Sequence, residues 1–145
     1  MNPTEATIEE NPGLIIWKSK HWVAMLDKYP LVEGHTLMLP KRDVKHVTRL
    51  NKAELEDMGQ AIAEVTSMLN RTYGPGTAVY LKCGEGSART ISHIHIHIIP
   101  RKMGDRLWDG DKSRIVLDRT SGFKRMEPDS EELKMIADKI REAGK

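Results

Sequence analysis

A single cysteine, Cys83, stands in a chain of 145 residues. No internal disulfide can form, so the fold must be held by packing, which suits a reducing compartment. Charge of one sign is also scarce. Twenty-three Lys and Arg against 21 Asp and Glu leave a formal charge of +2, too little to imply nucleic-acid binding, so any positive field must be local. No stretch approaches the 18 consecutive apolar residues of a membrane span. The start, Met1-Asn2-Pro3-Thr4-Glu5 with Glu9 and Glu10 following, has neither the basic residues nor the apolar run of a secretory signal. The expected location is therefore cytoplasmic. What is present is ordinary for a globular protein: 39% hydrophobic and 30% charged residues, and a length that matches one domain with a real core.

Residues 1–12 read as a polar, flexible arm and 13–145 as one domain. Leu14–Trp17 and His21–Leu26 are strand candidates joined by the polar turn Lys18-Ser19-Lys20. Tyr29-Pro30 breaks the pattern, and a third strand runs from His35 to Leu39 between Gly34 and Pro40. Asn51 and Glu54 have capping-box spacing, and Leu55, Met58, Ile62, Val65 and Leu69 form a helical stripe that Gly74-Pro75-Gly76 ends. Gly59 inside that helix costs up to about 1 kcal/mol of propensity. Further strands are expected at Ala78–Leu81 and Ile91–Ile99, and a short one at Ile115–Leu117. Residues 101–127 carry eight Lys or Arg. Asp129 and Glu132 then cap a last helix with its stripe at Leu133, Ile136, Ala137 and Ile140. Without an alternating strand–helix repeat, the reading is an antiparallel α+β domain.

Side chains alternate across a strand, so His93, His95 and His97 share one face, and Ile94, Ile96 and Ile98 the other. The isoleucine face reads as the core side, covered by the helix near residues 52–70, and the histidine face should look into a polar site or solvent. Three histidines on one face add nothing to strand stability, and each buried ring needs hydrogen-bond partners. A metal is one alternative, but the outer pair lies about 13 Å apart along the strand, awkward for zinc bonds of about 2.0–2.1 Å. Phosphate chemistry is the other. Imidazole serves as nucleophile, acid or donor near neutral pH, and the nearby Gly84–Ala88 loop, Ser87, Arg89, Thr90 and Ser92 offer amides, hydroxyls and a cation to an anion.

The run His93-Ile94-His95-Ile96-His97-Ile98-Ile99 has the His-φ-His-φ-His-φ-φ form, with φ apolar, of the histidine-triad (HIT) family of nucleotide hydrolases and transferases, and the chain resembles that family. The likeness extends back through Asp27–Pro40, which is similar to the family's nucleoside-side segment with its Pro-Gly-His, and covers roughly residues 13–102.

The resemblance implies a five-stranded antiparallel sheet with helices, usually in a homodimer, and a nucleotide as substrate. By position it implies that His95 attacks the α-phosphorus to form a nucleotidyl-histidine, that His97 bonds phosphate oxygens, and that His93 supports the nucleophile and the leaving-group side. It makes His35 an accessory histidine, gives Asp27 the ribose hydroxyls, and brings Thr90 to the phosphate. No tightly bound cofactor is implied, only magnesium carried with a polyphosphate substrate. Two positions depart from the pattern. Arg89 replaces the usual Gln, and its permanent charge bears on the leaving group and on hydrolysis against phosphorolysis; Glu33 replaces a Pro as a turn variation. His97, where transferase branches have Gln, favours hydrolysis. Phosphorolytic transfer and nucleotide binding without turnover stay open, and Trp108 with the basic tail could border the site or be ordinary surface.

Overall fold

The structure, a computed structural model, describes residues 3–83, 93–108 and 125–144. In chain order its elements are α1 (Pro3–Glu10), β1 (Ile15–Lys18), β2 (Trp22–Leu26), β3 (Thr36–Pro40), α2 (Lys52–Tyr73), β4 (Thr77–Lys82), β5 (His95–Pro100) and α3 (Ser130–Ala143). The strands form one five-stranded sheet in the order β1-β2-β3-β5-β4, and every neighbouring pair is antiparallel. This is the expected α+β arrangement, with α2 as the long helix and α3 at the C-terminal end.

Both capped helices start where local chemistry places them. Asn51 accepts from the Glu54 amide at 2.9 Å while Glu54 accepts from the Asn51 amide at 3.0 Å, a complete capping box. Asp129 accepts from the Glu132 amide at 2.9 Å. The α2 stripe holds at Met58, Ile62, Val65 and Leu69, which are buried or packed on the core, and fails only at its first position. Leu55 is 42% exposed and Glu54 only 2%; the buried positions are Glu54, Ala61, Val65, Met68 and Leu69. Glu54 can turn inward because Arg42 grips both carboxylate oxygens, at 3.1 and 2.7 Å, so the buried charge is paired. Its carbonyl also accepts the Trp22 indole N–H at 2.9 Å. Around Gly59 a side chain would meet nothing within 4 Å, so no close contact explains it.

The N-terminal segment differs from its reading as an arm. Pro3–Glu10 form helix α1, with the Thr4 hydroxyl donating to the Pro40 carbonyl at 2.8 Å and Ile8 packed on the core. Two apolar and polar contacts outweigh a composition that argues for no structure. The segments expected at Gly84–Ala88 and Ile115–Leu117 lie outside the described residues, and the strand expected from Ile91 pairs from His95 onward.

The sheet has two unlike faces. Ile94, Ile96 and Ile98 are buried with Met38, Val65, Leu69, Leu133 and Ile140 in the main core under α2 and α3, each isoleucine contributing roughly 1.5–3 kcal/mol by burial. On the opposite face Ile99 packs with Leu31 and Leu107 in a second, smaller cluster. That cluster holds residues 27–35 and 101–108 against the histidine side of β5, and so builds the site.

Candidate active site

Two pieces of chain make the site: β5, and the turn from Asp27 to His35 that joins β2 to β3. Gly34 makes the turn possible. Its φ is +91°, and a Cβ there would come within 2.5 Å of the Tyr73 ring, so only glycine fits. His35 follows at once and points under the sheet beside His97, with Thr36 anchoring the corner through a 2.9 Å bond from its hydroxyl to the Gly34 carbonyl.

All four histidines are buried: His35 is 0% exposed, His93 3%, His95 1% and His97 4%. The histidine rings are therefore largely withdrawn from solvent, and on their side of the sheet Leu31 of the Asp27–His35 turn and Leu107 pack against Ile99. Hydrogen bonds fix which nitrogens carry protons. The Leu31 amide donates to His35 Nδ1 at 3.0 Å, so that nitrogen is an acceptor and the ring proton sits on Nε2. His35 Nε2 then donates to His97 Nδ1 at 2.8 Å, which leaves the His97 proton on its own Nε2. His95 Nδ1 lies 3.3 Å from the His93 carbonyl oxygen. A carbonyl has no proton to give, so Nδ1 donates and His95 Nε2 presents a lone pair. The His95 and His97 rings meet edge to face with centroids 5.0 Å apart. One ring thus offers a nucleophilic nitrogen and its neighbour an N–H donor.

Burial is the main force on their ionisation. It holds His35 well below the ordinary histidine range, with His97 and Arg125 adding repulsion. His97 is pushed down to about 3, first by burial and then by the charges of His95, Arg125 and Lys82. His95 is lowered by burial, against the opposing bond to the His93 carbonyl, and His93 is lowered by burial and by His95. The triad is a set of neutral rings at neutral pH, which is what a nitrogen nucleophile needs. Neither ring nitrogen of His93 has a hydrogen-bond partner among the described residues.

Asp27 completes the group. Its Oδ1 accepts from the Tyr29 amide at 2.9 Å and its Oδ2 from Arg125 Nη1 at 3.0 Å. Oδ2 also lies 3.6 Å from His35 Nε2, but that proton is directed at His97 and the ring is neutral, so this is not an ion pair. Burial raises the Asp27 carboxyl, and the Tyr29 amide and Arg125 act against it.

Asp27, His35 and His97 lie close enough to share a metal ion, and their tautomers argue against one. A metal on His35 Nε2 would displace its proton while Nδ1 still accepts from Leu31, which requires an imidazolate. The pair is better described as an N–H···N bond.

Five residues singled out from the sequence are thus brought together: His93, His95, His97, His35 and Asp27. Arg89 and Thr90 lie outside the described residues. Trp108 is half-buried, its amide donating to the Asp105 carbonyl at 2.9 Å. Arg125, counted above only as part of a basic tail, is a member of the site that sequence reasoning missed, and so is the Leu31 amide. Nothing in a linear pattern links Arg125 to Asp27 98 positions earlier.

A sheet of this order with buried histidines at 95 and 97 on β5 and a third at 93 just ahead of it defines a class, and comparison with known proteins agrees. The HIT domain family matches residues 9–104, and the chain belongs to that family. It is 33% identical over 92 residues to the nitrilase and fragile histidine triad fusion protein NitFhit of Caenorhabditis elegans, which covers 63% of this chain and 21% of that protein. It is 35% identical over 83 residues to a bis(5'-adenosyl)-triphosphatase of Dictyostelium discoideum, covering 57% of this chain and 56% of the other. The chain therefore spans about a fifth of the one relative and just over half of the other. In structure it is similar to a hypothetical histidine triad nucleotide-binding protein from Sulfolobus tokodaii, with a TM-score of 0.76 over 97% of this chain and 91% of that one at 24% identity, a likeness of fold.

Proposed function

We propose that the protein is a nucleotidyl hydrolase that cleaves at the α-phosphate of a dinucleoside polyphosphate, nucleoside phosphoramidate or related nucleotide conjugate. The observation that carries this reading is the protonation pattern of the triad: a lone pair on His95 Nε2 beside an N–H on His97 Nε2. His95 attacks the α-phosphorus, the bond from phosphorus to the leaving group breaks, and the leaving group departs with the electron pair. Positive charge developing on the imidazole is stabilised by the Nδ1–H bond to the His93 carbonyl. Water then attacks the phosphorus, the N–P bond breaks, and a nucleoside monophosphate leaves. His97, held by His35, donates to a phosphate oxygen, and His93, whose ring nitrogens have no partner among the described residues, serves the leaving-group side. Asp27 receives the ribose, a role that suits a carboxylate and sets it apart from the phosphate, which it would repel. Arg89 and Thr90 are assigned to the phosphates, and magnesium to the polyphosphate of the substrate.

The enzyme name of the Dictyostelium relative, a bis(5'-adenosyl)-triphosphatase, supports a dinucleoside polyphosphate as substrate. The protein is also proposed to be cytoplasmic and to act as a homodimer. No helix among the described residues is long and apolar enough to cross a membrane. Edge strand β4 exposes Val79 and Leu81, 44% and 40% accessible, on the core-side face beside an open groove lined by Ile62, Thr66 and Asn70 of α2, a surface suited to a second copy.

The test is a product-resolved panel of diadenosine triphosphate, diadenosine tetraphosphate and adenosine phosphoramidate, with and without inorganic phosphate. Nucleoside monophosphate formed in plain buffer is expected. A strict need for phosphate with diphosphate product would establish transfer instead, and binding without turnover would establish a signalling or scaffold role.

A further inference from the structure

Arg125 lies in the short stretch ahead of α3 and reaches back across the molecule. Its Nη1 donates to Asp27 Oδ2 at 3.0 Å and to the Tyr29 carbonyl at 2.9 Å. The next residue, Met126, donates its amide to the Pro30 carbonyl at 2.8 Å. Together these bonds strap the Asp27–Pro30 turn from outside. On its inner side the same turn is closed by the Tyr29 amide bonded to Asp27 Oδ1.

The stoichiometry at Asp27 is informative. An ionised carboxylate has about four acceptor positions, two on each oxygen. Tyr29 occupies one on Oδ1 and Arg125 one on Oδ2. Among the described residues nothing else bonds either oxygen, so one position remains on each, which matches the two neighbouring hydroxyls of a ribose. The carboxylate is only 12% exposed at its side chain, and the Tyr29 amide on Oδ1 and the Arg125 guanidinium on Oδ2 hold it in one rotamer. Burial raises its proton affinity and Arg125 opposes that rise.

We propose that Arg125 is a positioning residue for sugar recognition: it orients the Asp27 carboxylate so that both oxygens meet a ribose, and thereby sets the preference for ribonucleotides over deoxyribonucleotides. The inference rests on the reading of Asp27 as the ribose acceptor. It assigns to the segment before α3 a role in substrate choice, and it distinguishes that role from simple strapping, which would leave sugar preference untouched.

The test measures KM and kcat for diadenosine triphosphate and its 2'-deoxy and 3'-deoxy counterparts, in the full chain and in Arg125→Ala, Arg125→Lys, Asp27→Asn and the Arg125→Ala/Asp27→Asn double variant, with a melting curve for each. For Arg125→Ala, KM for the ribonucleotide should rise about tenfold, as expected for loss of a charged hydrogen bond, with kcat changed much less and each deoxy substrate, which keeps one hydroxyl for Asp27, affected clearly less. Arg125→Lys should recover part of the loss, since one ammonium can reach the same two acceptors. In the Asp27→Asn background, Arg125→Ala should add nothing to the ribonucleotide KM. An equal rise for ribo and deoxy substrates, or an undiminished effect in the Asp27→Asn background, overturns the positioning role alone. Sugar preference that survives Asp27→Asn overturns the ribose reading of Asp27 and this inference with it.

Discussion

Residues 93–98, which run into and along β5, alternate between two faces that are held by different physics. Ile94, Ile96 and Ile98 face α2 and α3 and are fixed by volume: any apolar side chain of the right size would satisfy their surroundings. His95 and His97 lie on the side of the Asp27–His35 turn and are fixed by direction. The protons of His35, His97 and His95 have defined places, set by a relay from the Leu31 amide through His35 to His97 and by the His93 carbonyl under His95. Burial, stabilising for the isoleucines, drives the histidines to neutrality. One face tolerates change of chemistry within a shape, and the other tolerates change of neither.

The comparison breaks most sharply at His95. His95→Ala should lower turnover by roughly 10⁴-fold or more, as removal of a nucleophile does, with nucleotide still bound and the fold intact by circular dichroism. Near-normal turnover would overturn the nucleophile assignment. One residue along, Ile96→Ala should do the reverse. It empties a site 1% exposed and should cost about 2–5 kcal/mol of stability in urea unfolding, while turnover per folded molecule stays near the parent's. If Ile96→Ala inactivated the folded protein as fully as His95→Ala, the division between the two faces would not stand.

Much of this division was legible before any coordinates, because period-two alternation from His93 to Ile98 depends only on strand geometry. The capping signals at Asn51 and Asp129 were equally local, and both helices begin there. What could not be read was set by contacts between distant residues. Leu55 was expected inside α2, but the inward place went to Glu54 because Arg42, twelve positions earlier, neutralises it. The N-terminal residues looked polar, yet Thr4 meets a carbonyl of β3 that no local pattern predicts. Arg125 was indistinguishable from its basic neighbours until the fold laid it on Asp27. The histidine face was recognisable as a site, but its withdrawal from solvent was not, because Leu31 and Leu107 give no sign in sequence that they meet Ile99.

A finer test of the directional face uses pH. His97 is pushed down to about 3 in the folded protein, while an unfolded chain titrates near the ordinary histidine value of about 6.5. Below that value the unfolded state takes up a proton that the folded state refuses. Stability from this group is therefore fully present above about pH 6.5 and lost progressively as pH falls towards 3. The slope approaches about 1.4 kcal/mol per pH unit for one proton. His97→Gln keeps an acceptor for the His35 Nε2–H but has no proton to exchange, so its stability should fall less steeply than the parent's between pH 6.5 and 4.5. The comparison is made by urea unfolding at half-unit pH steps. Ile96→Ala serves as control, since it lowers stability at every pH and should leave the slope unchanged. Parallel curves for the parent and His97→Gln would mean that His97 titrates alike folded and unfolded, and the buried relay from His35 would then have no energetic content.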